Sequence, residues 1–164
     1  MKKAALVVIM FCFLFSGCKS EKTVSPITKG IKFDLKVNYG KANYDVSVII
    51  DNGGCMEALI NSPDKISGMK ITANKFETVS EYKNLKYTYN DEEFTRNNPI
   101  IMVYNILSDL SDKQLPLKEG ENCVEKDEFS SKEYEFVFSP SGLPISFNMN
   151  SENLNIVFCD VIVL

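Results

Sequence analysis

A chain of 164 residues, 45% of them apolar, can bury one core of ordinary size. Its formal charge of −4 gives no electrostatic hold on nucleic acid or anionic headgroups, so no nucleic-acid partner is expected. Histidine is absent, which removes Ser-His-Asp and Cys-His catalysis and the usual zinc sites.

The first elements in chain order are addressing signals. Lys2 and Lys3 make a positive start, Ala4 to Phe15 an apolar run, and Ser16-Gly17-Cys18 a small-residue cleavage site ending in cysteine. The run is too short for a permanent bilayer span, which takes about 20 residues, and reads as a signal peptide over residues 1–17. Phe15-Ser16-Gly17-Cys18 resembles a bacterial lipobox, with Phe15 where that motif prefers leucine. The resemblance implies cleavage before Cys18, lipid on its sulfur, and an anchor on the extracytoplasmic face of the cell membrane. Cleavage removes Lys2, Lys3 and Cys12, leaving 16 basic against 22 acidic residues, a net charge of −6. With Cys18 lipidated, Cys55, Cys123 and Cys159 remain, so at least one thiol has no partner within the chain. An exported protein can hold a disulfide, but nothing in the spacing selects a pair.

Lys19 to Lys29 is polar, carries Pro26 and keeps no period, so residues 18–29 read as lipidated cysteine and flexible tether. Such a tether averages roughly 20 Å end to end. A single domain over residues 30–164 is expected beyond it. Ile31, Phe33, Leu35 and Val37 alternate with polar residues, as do Tyr44, Val46, Val48 and Ile50, each set predicting a strand with one buried face. Asp51-Asn52-Gly53-Gly54 predicts a tight hairpin, and Met56, Ala58 and Ile60 a returning strand that ends before Pro63. Short strands are expected at 69–73, 76–82 and 86–89.

The period then changes. Asn98 suits an N-cap and Pro99 the first helical turn, and Ile100, Val103, Tyr104, Leu107 and Leu110 form a helical stripe. Ile101, Met102 and Ile106 extend apolar character around most of the helix, so it is expected to be buried on several sides or to cover an apolar space. Residues 111–131 read as a polar loop. Strands return at Tyr134–Phe138, Ile145–Met149 and from Leu154 to the end. The whole predicts a mainly β (α+β) domain, a curved antiparallel sheet closed by one apolar helix.

Chemistry is sparsely supported. Asp91-Glu92-Glu93 and Glu125 to Glu128 lack the spacing of an EF-hand calcium loop and read as solvated turns. Asp160, inside the apolar last strand, is expected to face solvent on an edge or mark a bend. No glycine-rich nucleotide loop stands between a strand and a helix. Neither an enzyme, a metal nor a cofactor is expected.

Several short motifs carry a second resemblance. Asn61-Ser62-Pro63-Asp64-Lys65-Ile66-Ser67-Gly68-Met69 follows paired N-terminal strands, and Asn98-Pro99 opens a helix. Tyr134-x-Phe136, Gly142-Leu143-Pro144-Ile145 and Leu154-x-Ile156-x-Phe158 close the chain. Over residues 31–164 this order resembles the lipoprotein-carrier superfamily, the LolA/LolB-like half-barrels that also include LppX-like lipoproteins. The resemblance implies a sheet wrapped around apolar helices, with a cavity for acyl chains. Phe33, Leu35, Val46, Val48, Met56, Ile60, Val103, Leu107, Phe136 and Phe147 are the candidate lining residues. The chain departs from the family in being short and in having one clear helix. The carrier's gating arginine has no secure counterpart, although Arg96 lies just before the helix. Two functions follow as expectations: a membrane-anchored lipoprotein that binds a lipid or other apolar ligand, or a solid-core interaction or sensing module for an envelope protein.

Overall fold

The computed structural model describes residues 22–89, 97–117 and 121–164. Its elements in chain order begin with β1 (Thr23–Val24), β2 (Ile31–Tyr39), β3 (Ala42–Ile50) and β4 (Met56–Ser62). Next come β5 (Lys70–Ala73), β6 (Thr78–Tyr82), β7 (Leu85–Tyr89) and the helix α1 (Pro99–Asp109). A 3-10 turn over Leu110–Asp112 leads to β8 (Leu115–Pro116), β9 (Cys123–Phe129), β10 (Lys132–Phe138), β11 (Pro144–Met149) and β12 (Leu154–Val163).

Ten strands form one antiparallel sheet in the order β7-β6-β5-β4-β3-β2-β12-β11-β10-β9, while β1 pairs with β8 in a separate ladder. The two meanders, β2 to β7 and β9 to β11, are joined by the C-terminal strand. β12 runs antiparallel to β2 on one side and to β11 on the other, and the Leu164 amide donates to the Gly30 carbonyl at 2.7 Å. Among the described residues the sheet is open, with β7 and β9 at its edges.

Alternation sets the burial. Ile31, Phe33, Leu35 and Val37 are each at most 2% exposed, while Lys32, Lys36 and Asn38 between them face solvent. On the other meander, Phe136 stacks on Phe138 with centroids 4.5 Å apart and meets Phe147 edge-on at 5.5 Å. Phe158 bridges the halves, 5.1 Å from Phe33 and 5.5 Å from Phe136. These rings and the buried residues of α1 belong to one hydrophobic core.

The helix starts as its sequence dictates. The Asn98 side-chain oxygen accepts from the amides of Ile100 and Ile101, filling two of the otherwise unpaired donors of the first turn, and Pro99 needs no acceptor. The Asp51–Cys55 turn is closed by the Asp51 carboxylate, which accepts from the Cys55 amide at 2.8 Å. Asp160 sits exposed at φ +50°, where the β12–β2 register shifts between Cys159 and Ile162. It marks a bulge.

Two expectations are corrected. Residues 22–29 are not a free tether but a strap laid on the domain. Beyond the β1–β8 ladder, the Ile27 amide donates to Gly142 and the Leu117 amide to Lys22, and Pro26 and Thr28 are buried. Nor is 111–131 a plain loop, because it contains β8 and β9. Four consecutive charges, Glu125 to Glu128, hide the period of β9, yet Cys123 is buried against Phe138 and Glu125 is half-buried against Phe136. The signal peptide, Cys18, Asp91-Glu92-Glu93 and Arg96 lie outside the described residues.

Candidate functional site

The space between α1 and the inner sheet face is where the apolar candidates meet. Phe33 and Leu35 on β2, Val46 and Val48 on β3, and Met56 and Ile60 on β4 all point inward and are at most 4% exposed. Val103 and Leu107 of α1 face them, while Phe136 and Phe147 belong to the aromatic half of the same core. The void left among Phe33, Leu35, Val48, Met56, Val103 and Leu107 measures about 10 Å³. Ligand pockets for small molecules run to roughly 300–1,000 Å³. The six residues around this void, with Ile50, Ile100 and Tyr104 beside them, are therefore tightly packed, and Val46, Ile60, Phe136 and Phe147 are buried in the same hydrophobic core.

Larger spaces open at the surface. A groove of about 880 Å³ runs beside the second half of α1, bordered by Gly54, Cys55, Phe76, Tyr104, Asn105 and Phe129. Tyr104 fixes one wall, its hydroxyl donating to the Gly54 carbonyl at 2.7 Å, and burial raises its phenol above the ordinary value. Phe76, 89% exposed, caps the β5–β6 turn, where Asn74 accepts from the Phe76 and Glu77 amides. The strand expected over 76–82 begins only at Thr78; Phe76 belongs to an Asx-type turn, which leaves it in solvent. A second hollow, about 470 Å³, is polar and lies along the outer face of β9 and β10, with Lys126 and Glu135 paired at 2.7 Å within it.

Charged groups pair with one another along the inner side of β9. Lys113 reaches Glu125 at 2.7 Å and Asp127 at 3.0 Å, and these carboxylates hold its ammonium strongly protonated. The Glu128 amide and then Lys113 lower the Asp127 carboxyl below its ordinary range. Beside them, burial and then the Asp127 charge push the Tyr134 phenol up to about 12. Glu125 to Glu128, expected as a solvated turn, lie instead in β9, and the cation that clamps Glu125 and Asp127 is Lys113, outside the acidic cluster itself. Among the described residues, no group of three His, Cys, Asp or Glu side chains could hold a metal ion. Cys55, Cys123 and Cys159 are all free thiols, the first exposed and the second buried. Among the described residues, no helix is long and apolar enough to cross a membrane.

No protein-family model matches this chain, and no curated protein matches it.

Proposed function

We propose that this protein is a lipid-anchored interaction module, held at Cys18 on the extracytoplasmic face of the cell membrane and presenting a solid β domain to an envelope protein. The observation that carries this reading is the filled interior: a void of about 10 Å³ beneath α1 offers no room for an acyl chain. The N-terminal features support the anchor, since Lys2 and Lys3, the apolar run and Ser16-Gly17-Cys18 stand in the order export and lipidation require. The folded domain begins by Lys22, only four residues after Cys18, so it is carried close to the lipid surface.

The sheet is a half-barrel wrapped around α1, with the helix as its plug. A flat ten-stranded sheet would span roughly 45 Å, whereas an 11-residue helix covers about 16 Å. Inner residues are nevertheless buried from Ile71 and Ala73 on β5 to Phe136 and Phe138 on β10, which supports a sheet curled around its plug.

The second reading, binding of an apolar ligand, is favoured by the groove beside α1 and by the lipoprotein-carrier resemblance. Native mass spectrometry of the purified full chain separates the two. The interaction module gives the mass of the polypeptide plus the acyl groups on Cys18 and nothing more. A stoichiometric additional lipid would favour the second reading. Cys18→Ala should abolish lipid labelling and leave the precursor uncut; a normally processed, unlabelled product would overturn the anchor.

A further inference from the structure

The strap and the end of β12 meet at one end of the sheet, where the Leu164 amide donates to the Gly30 carbonyl. Just inside that junction, the register sets Ile162 of β12 and Ile49 of β3 on either side of Lys32 of β2. Directly opposed residues of neighbouring strands share a face, and Lys32 stands on the outer one. Ile162 and the adjoining Val163 are each 55% exposed and Ile49 is 40% exposed. These three strands lie in the middle of the sheet, away from both of its edges. Apolar side chains around a lysine suit a lipid boundary, where the stem lies along apolar groups and the ammonium stays in water.

We propose that this patch rests on the lipid surface that carries the anchor, a second attachment that fixes which end of the domain faces the membrane; this rests on the anchor at Cys18. The length of free chain selects lipid as the occupant. Three residues separate Cys18 from Lys22, which lets the two lie at most about 14 Å apart. From Lys22 onward the strap is tied down, first to Leu117 and Pro116, then to Gln114 and Gly142, until it reaches Gly30 beside the patch. The anchor and the patch thus lie at the two ends of one docked strap. A tether this short holds lipid at high effective concentration against that end of the sheet. The patch is apolar, so it asks for no anionic headgroup, in keeping with a mature charge of −6.

The mature acylated chain in phosphatidylcholine vesicles tests this, in a Cys55→Ser, Cys159→Ser background that keeps the buried Cys123. A thiol-reactive fluorophore is placed at Lys32→Cys in the patch, or at Lys41→Cys in the β2–β3 turn at the opposite end, both exposed sites. Nitroxide-bearing lipid should quench position 32 at least about fivefold more than position 41, since β2 holds the two about 30 Å apart. Adding Ile49→Ser and Ile162→Ser should lower quenching at position 32 towards the level at 41. Circular dichroism should be unchanged, both side chains lying on the outer face. Equal quenching at 32 and 41 in a chain that floats with the vesicles would overturn the proposal and leave the anchor standing. Full quenching at 32 after the double substitution would do the same. A chain that does not float with the vesicles would overturn the anchor, and this proposal with it.

Discussion

The Tyr104 hydroxyl donates to the Gly54 carbonyl oxygen at 2.7 Å, tying the middle of α1 to the turn between β3 and β4. The ring is otherwise buried at 6% exposure, so Tyr104→Phe removes one hydrogen bond and little packing. A stability loss of about 0.5–1.5 kcal/mol in urea denaturation is expected, with the fold retained. No measurable loss would mean that the helix is not anchored at this turn.

The strap offers a second test. A chain beginning at Lys29 lacks the β1–β8 ladder, the Ile27–Gly142 hydrogen bond and the contacts of Val24 and Ile27 with the core. It should still unfold cooperatively but be less stable than a chain beginning at Lys22, by on the order of 2–4 kcal/mol. Gly142 sits at φ +83°, and a Cβ there would strike the Ser25 carbonyl oxygen. Gly142→Ala should therefore release the strap, seen as faster amide exchange at Ile27. Its cost should shrink in the truncated chain, since the two changes disrupt one contact. Fully additive losses would show that the strap and Gly142 act separately.

Most of the sheet was legible because alternation reports burial directly wherever one face is dry. β2 and β3 follow it residue by residue, and Asn98-Pro99 announces the helix start through chemistry that needs no tertiary partner. β9 escaped because the four consecutive charges from Glu125 to Glu128 erase its period. The strap escaped because its two-residue ladder depends on β8, more than 90 residues away. An all-round apolar helix fits a lid and a plug equally well. Only the packing of Val103 and Leu107 against β2 to β4 distinguishes them, and periodicity carries no information about void volume.

The titrating groups predict losses at both ends of the pH range. Tyr134 is raised from 10.0 to about 12 by burial. Its contribution is full below pH 10 and is lost as pH rises from 10 towards 12. The difference in ultraviolet tyrosinate absorbance between the natural chain and Tyr134→Phe should show a midpoint near 12; a midpoint near 10 would contradict its burial. Asp127 and Glu152 are lowered from 3.8 and 4.5, Glu152 chiefly by its hydrogen bond to Lys132. Their contribution is present above those values and fades as pH falls below them. Lys113→Met and Lys132→Met should each flatten the acid side of the stability curve.

The central claim, that α1 plugs a solid core, is tested most directly by the stability of Leu107→Ala. Leu107 is 1% exposed and faces Phe33, Leu35, Val48 and Met56 across a void of about 10 Å³. Removing its side chain from a filled interior opens a new cavity, whereas enlarging an existing chamber forfeits fewer contacts. Urea denaturation should show a loss inside the range of about 2–5 kcal/mol found for truncating a packed leucine. A loss at or below about 2 kcal/mol would contradict the plug and mark the helix as the roof of a cavity.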